Sequence, residues 1–142
     1  MLAEDPDAKD FAHWVVYNIP GSEAGLTAGI SNEPALGDGA YQGMNSFGKI
    51  GYGAPCPPRG STHDYEFFVY VLDAQLGLGS GQTADQVAEA ISGHVTAWGM
   101  MTITLGRQAD KQGGAVDTAP RCSIVEPLSA AGTRYQPGSR RL

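Results

Sequence analysis

Between Gly21 and His63 the chain carries ten glycines and four prolines. That density constrains the fold more than any other feature. Glycine in a helix costs about 1 kcal/mol relative to alanine, and proline removes a backbone donor from helix or sheet. The stretch 21–63 therefore reads as one long irregular connection. Connections of that length inside a compact domain are uncommon and usually functional. What it connects must supply the regular structure. On its near side, His13–Ile19 is aromatic and β-branched and stops at Pro20-Gly21, so it reads as a strand. On its far side, Tyr65–Leu72 is apolar on both faces except at Glu66, which suits a central strand.

Two further elements are legible. Thr83 with Gln86 three positions on matches a capping box, and Val87, Ile91 and Val95 repeat every four residues. The pattern predicts a helix over 83–94 with one buried stripe, weakened near its end by Gly93. Residues 100–105 alternate, with Thr102 and Thr104 on one face and Met101, Ile103 and Leu105 on the other, and so predict a third strand. After Gly106 the periodicity dissolves. Residues 1–107 are expected to form the domain, with 108–142 a tail of low structure. Scarce helix and abundant Gly and Pro indicate a mainly β protein with one or two peripheral helices.

Charge narrows the function. The chain has a formal net charge of −6. Residues 1–106 hold 12 acids and 3 bases, against 3 acids and 6 bases in 107–142. Nucleic-acid binding needs clustered Lys and Arg, so the acidic body argues against it. No apolar run reaches the ~18 residues of a membrane span. Cys56 and Cys122, 66 positions apart, are expected to be free thiols. The acidic start Met-Leu-Ala-Glu-Asp does not look like a signal peptide, so the default compartment is the cytoplasm, or the periplasm if an export signal precedes the chain. No cofactor and no metal is expected: there is no His-x-x-x-His or clustered Cys/His spacing, and no Gly-x-Ser-x-Gly elbow.

Two islands concentrate the reactive groups. The first is Asp5-Pro6-Asp7-Ala8 followed by His13-Trp14. The second is Gly48-Lys49-Ile50-Gly51-Tyr52-Gly53-Ala54-Pro55-Cys56-Pro57-Pro58 followed by His63-Asp64-Tyr65. Each sets a histidine at a strand start beside a turn, where pockets form. These islands resemble the phosphatidylethanolamine-binding protein family, whose signatures are Asp-Pro-Asp-x-Pro leading to His-Trp, and Gly-x-x-x-Tyr-x-Gly-Pro-x-Pro-Pro leading to His-Arg-Tyr. The bacterial, Raf-kinase-inhibitor-like branch also has segments similar to 42–48 and to Gly93-His94-Val95. The resemblance runs from Asp5 to about Arg107. Lys9 and Asp64 stand where the family has Pro and Arg, and the strands that precede Asp-Pro-Asp in the family are missing, which reads as an N-terminal truncation.

The resemblance implies a β-sandwich with a small anion pocket and no catalysis. Carried over, the ligand-binding residues are Asp5, Asp7, His13, Cys56, Pro57, His63 and Tyr65. The implied ligand is phosphate or a phosphoethanolamine-like headgroup. Protonated imidazoles can donate to phosphate oxygens. Loop N–H groups around 53–56 can form an anion-binding concavity, and a carboxylate such as Asp5 can orient His13. Relatives suggest a kinase- or protease-inhibitor-like regulator. The alternatives are a weak hydrolase using both histidines, or a truncated product without a pocket. An uncovered sheet would favour a homodimer.

Overall fold

The computed structural model describes residues 1–108. Five antiparallel strands form one sheet in the order β3-β2-β1-β4-β5. They are β1 Leu2–Asp5, β2 Phe11–Tyr17, β3 Tyr41–Gln42, β4 Thr62–Leu72 and β5 Val95–Gly106, with one helix, α1, at Ala84–Ile91. This is the mainly β architecture that the sequence led us to expect, with one helix where one or two were expected; the described strands form one sheet, whereas the resemblance implied a sandwich. Residues 109–142, including Cys122 and the tail expected to have little structure, lie outside the described residues.

The elements differ from the sequence reading at their ends, each for a local reason. β1 was not expected, because a short strand holding Glu4 and Asp5 looks like a turn. It forms because it is paired on both sides, with β2 and with β4. β2 stops at Tyr17, before Pro20, because Asn18 turns left-handed at φ 58°. There its side chain exchanges two 2.9 Å hydrogen bonds with the backbone of Leu76. The capping box forms as expected, with Gln86 Oε1 accepting from Thr83 N at 2.9 Å and Thr83 Oγ1 accepting from Gln86 N. The helix ends at Ile91 rather than His94, since Gly93 adopts φ 83°. β5 then begins at Val95, five residues earlier than predicted, and pairs with β4 along its whole length.

β4 is buried on opposite faces at its two ends. Side chains alternate along a strand. Phe68, Tyr70 and Leu72 fall on the face that meets α1, whereas His63 and Tyr65 fall on the other. The helix side holds the core: Ala12, Val15, Tyr17, Leu76 and Ile91, with Leu2, Tyr70, Leu72 and Val87 packed against them. Burying such a side chain stabilises by about 1.5–3 kcal/mol.

The Gly/Pro segment covers the opposite face at the β2 end. It is ordered by two buried amides. Gln42, fully buried, donates to the carbonyls of Ser31 and Glu33 at 2.7 Å and accepts from Trp14 Nε1 at 2.8 Å. Asn45 accepts from the N–H groups of Phe47 and Lys49 and donates to Gly51 O at 2.9 Å, closing a tight turn over 44–50. Ser46 ties that turn to β2 through both bonds it exchanges with Ala12. Gly43 has to be glycine: a Cβ there would lie 2.3 Å from Gln82 O and 2.9 Å from Val15 Cβ.

Candidate functional site

The two histidines of the islands converge on one ring. Tyr65 lies 5.3 Å from the His13 ring, edge-on, and 6.4 Å from the His63 ring, nearly parallel at 26°. Phe11 and Phe47 complete the wall at 5.2 and 5.6 Å from His13. Three strands supply these groups. β1 and β4 are neighbours, so Asp5 reaches His63. β2 follows on the other side of β1 and carries His13 onto the same face.

Each histidine is held through Nδ1. His63 Nδ1 meets Asp5 Oδ2 at 2.7 Å. His13 Nδ1 meets Gly53 O at 2.8 Å. A carbonyl and a carboxylate can only accept, so both Nδ1 atoms donate and Nε2 is the remaining ring nitrogen of each histidine. Among the described residues neither Nε2 has a hydrogen-bond partner, and no buried side-chain polar atom is left unpaired. Both Nε2 atoms are therefore accessible.

Asp5 organises the cluster. It is 3% exposed. Its Oδ1 accepts from Ala8 N at 3.1 Å and caps the 3-10 turn Pro6–Ala8. Its other oxygen takes His63, and the Tyr65 hydroxyl also bonds to it. Burial first, then the charge and hydrogen bond of Asp5, push the Tyr65 phenol up to about 12. Tyr65 stays protonated and donates to the carboxylate. Asp7 is exposed, and its Oδ2 accepts from Asp64 N at 2.8 Å. Asp64 Oδ1 in turn accepts from Thr104 Oγ1 at 2.6 Å. Asp5, Asp7 and His63 offer ligand atoms within 4.8 Å of one another, a set that could accept a divalent cation.

Five of the seven expected residues thus meet: Asp5, Asp7, His13, His63 and Tyr65. The loop touches this cluster through Gly53, which both accepts from His13 Nδ1 and donates its N–H to His13 O at 2.8 Å. Pro57 is buried further along that loop, and Cys56 is exposed.

Three expectations are corrected. Cys56 is disulfide-bonded, not a free thiol, and Arg107 Nη1 lies 3.6 Å from its Sγ. Asp5 orients His63, while His13 is oriented by a backbone carbonyl. The anion concavity around 53–56 is reduced, because the Gly53 N–H is committed to His13 and Pro55 has none. Phe47, Gln42, Asn45 and the Gly53 carbonyl went unnoticed in the sequence. The island 42–48 that holds three of them was legible as a motif, but its hydrogen bonds were not.

One cavity of about 730 Å³ lies elsewhere, between α1 and the sheet, lined by Leu2, Val15, Tyr17, Tyr70, Val87 and Ile91 among others. None of the cluster residues lines it. Its lining is mostly apolar, with Asn18, Glu23, Asp38, Asp73 and Gln75 as its polar side chains.

A five-stranded antiparallel sheet with two histidines anchored on one face, one by a carboxylate and one by a carbonyl, defines a β-rich protein with a polar side-chain cluster at its strand ends. The phosphatidylethanolamine-binding protein profile matches residues 1–106, and the chain belongs to that family. It is 43% identical over 97 residues to a UPF0098 protein of Methanothermobacter thermautotrophicus, a match covering 67% of this chain and 64% of that relative. A Mycobacterium tuberculosis protein with the provisional name of a lipoprotein, LppC, is 43% identical over 96 residues, 65% of this chain and 45% of its own. Among solved structures, the Chlamydia trachomatis homologue CT736 superposes with a TM-score of 0.65 at 35% identity, covering 75% of this chain and 69% of that one. The chain therefore spans about two thirds or less of the length of these curated relatives. No helix among the described residues is long and apolar enough to cross a membrane.

Proposed function

We propose that this domain binds a small ligand bearing a phosphoryl or similar oxyanion, and that it does so without turning it over. The observation that carries this reading is the pair of histidines flanking Tyr65, each anchored through Nδ1 and each leaving Nε2 accessible. An anchored imidazole presents one N–H in a fixed direction when protonated, which lowers the ordering cost of binding. The carboxylates of Asp5, Asp7 and Asp64 oppose an anion near neutral pH. Binding therefore strengthens as the histidines become charged, and a cationic amine on the ligand would meet Asp7. An inhibitor-like regulatory role would use the same pocket against a phosphorylated partner.

The competing reading is a weak hydrolase. His63–Asp5 has the geometry of an oriented general base. Among the described residues Ser46 Oγ accepts from Ala12 N, and a hydrolase at this site would use the oriented base to activate water. The ring signals of His13 and His63 are to be followed while phosphate, phosphoethanolamine and uncharged glycerol are titrated with and without a chelator. Saturable shifts with the first two alone support the proposal. Shifts that need an added divalent cation transfer it to the Asp5–Asp7–His63 set. Turnover that is lost in a folded His63→Ala variant would establish the hydrolase instead.

The Cys56 disulfide also bears on compartment. Disulfides persist in oxidising environments, so we place the protein outside the cytoplasm, in keeping with the lipoprotein name of its mycobacterial relative and against the cytoplasmic expectation. Free thiols on the protein recovered from its native compartment would reverse this.

A further inference from the structure

Among the described residues, Phe47 and Tyr52 are the exposed aromatic rings, at 51% and 40%, and both belong to the segment that supplies the loop side of the site. Neither is loosely placed. Asn45, itself buried, accepts from Phe47 N at 3.0 Å and donates to the carbonyl of Gly51, the residue before Tyr52, at 2.9 Å. Asn32 Oδ1 accepts from Tyr52 N at 3.3 Å. The rings are seated as well. Phe47 lies edge-on to Phe11 and to His13, with centroids 4.8 and 5.6 Å away. Tyr52 lies edge-on to Trp14 at 5.6 Å, and Trp14 is fixed on Gln42. After burial, Asp5 and Asp7, Tyr52 also acts on the Tyr65 phenol, so it stands beside the cluster. One segment thus holds two rings against the cluster while much of each faces water. Burial stabilises a ring only over the surface it removes from water, so the exposed parts contribute nothing to folding. Exposed apolar surface beside convergent polar groups is a mark of ligand-binding grooves.

Resting on the oxyanion reading above, we propose that Phe47, with Tyr52 beside it, determines the specificity of the site, selecting a phosphomonoester that carries a flat apolar group over bare or methylated phosphate. The two parts of the site offer different chemistry. The histidines leave Nε2 accessible, and charged imidazoles donate through it to phosphoryl oxygens. Around His13 the neighbours are rings: Phe11 at 5.2 Å, Tyr65 at 5.3 Å and Phe47 at 5.6 Å. A group attached to the phosphoryl oxygen therefore meets carbon. A flat ring makes edge-to-face and offset-stacked contacts with Phe47 that a methyl group cannot, a gain of about tenfold in affinity. Charge points the same way. Asp5 and Asp7 oppose the full charge of a bare phosphate, so affinity has to come from the substituent.

The test uses the full-length chain at about pH 6, where ordinary histidines are largely charged. Inorganic phosphate, methyl phosphate and phenyl phosphate are titrated while the His13 and His63 ring signals are followed. Phenyl phosphate is expected to bind about tenfold more tightly than methyl phosphate, and its ring protons are expected to show nuclear Overhauser contacts to the Phe47 ring. Phe47→Ala and Phe47→Leu are each expected to bring the phenyl-to-methyl ratio close to unity. The leucine variant keeps an apolar side chain against Phe11 and removes only the aromatic face. Saturable binding of all three without a preference for phenyl overturns this inference and leaves the oxyanion reading standing. If none of the three binds saturably, the oxyanion reading fails and this one with it. A preference that survives both substitutions takes the selection away from Phe47 and overturns the assignment. If the variants unfold, the contacts in the unmodified chain decide: phenyl protons near Phe47 support the proposal, and bound phenyl phosphate without them sinks it.

Discussion

The chain contains the same chemical pair twice, in two settings. His63 Nδ1 meets Asp5 Oδ2 at 2.7 Å, and His94 Nδ1 meets Asp73 Oδ1 at 2.8 Å. In the first the side chains are 15% and 4% exposed; in the second they are 48% and 56% exposed. Geometry alone does not distinguish them. What differs is what surrounds the carboxylate. Asp5 sits beneath the sheet's site face with Ala8 N, His63 and Tyr65 all upon it. Asp73 lies in solvent beside the helix end, where water and salt compete for both partners. A histidine–aspartate contact becomes a site when burial commits the carboxylate to it.

Breaking each pair measures that difference. Asp5→Ala removes a buried acceptor with three donors and strands His63 and Tyr65. It is expected to cost about 3–5 kcal/mol in a urea melt, and anion-induced shifts at His63 should vanish. Gly53→Ala perturbs the same region from the loop side. Its Cβ would lie 2.5 Å from Phe47 Cε2, and Phe47 is half-exposed and able to swing away. About 1–2 kcal/mol is expected, with the larger change in the His13 ring signal and in affinity.

Tyr65→Phe removes one hydroxyl from Asp5 but leaves its other two donors, for about 1 kcal/mol at neutral pH. It has a separate signature in alkali. The folded state holds the Tyr65 proton up to about 12, whereas the unfolded chain releases it near 10. The stabilisation is present in full below pH 10 and is lost as pH rises towards 12. Melts of the variant should lack that loss, and an unchanged alkaline slope would show that Tyr65 is not shielded. Asp73→Ala is expected to change stability by less than about 0.5 kcal/mol and to leave ligand binding intact. If it equals Asp5→Ala, burial is not what separates the two pairs.

The Asp5 and His63 islands could be picked out because glycine, proline and acidic turns leave a local mark. The Thr83–Gln86 cap was readable for the same reason, since both its bonds fall within one helical turn. β1 was not readable. Four residues have no periodicity of their own, and its existence depends on β2 and β4 arriving on either side of it. The bound state of Cys56 was equally invisible, because two thiols carry no information about spatial approach.

By itself, then, the order of residues determined the mainly β character, the capped helix and the shortlist of polar groups, since each is governed by neighbours within a few positions; the 21–63 connection was expected to be irregular throughout, whereas β3 forms within it at Tyr41–Gln42 and β4 begins at Thr62. Tertiary structure alone decided that Asp5 serves His63 rather than His13, that a glycine carbonyl sets the second imidazole, and that β1 lies between β2 and β4. Those outcomes depend on which strands lie side by side, and strand order is fixed by long-range burial that no local pattern records.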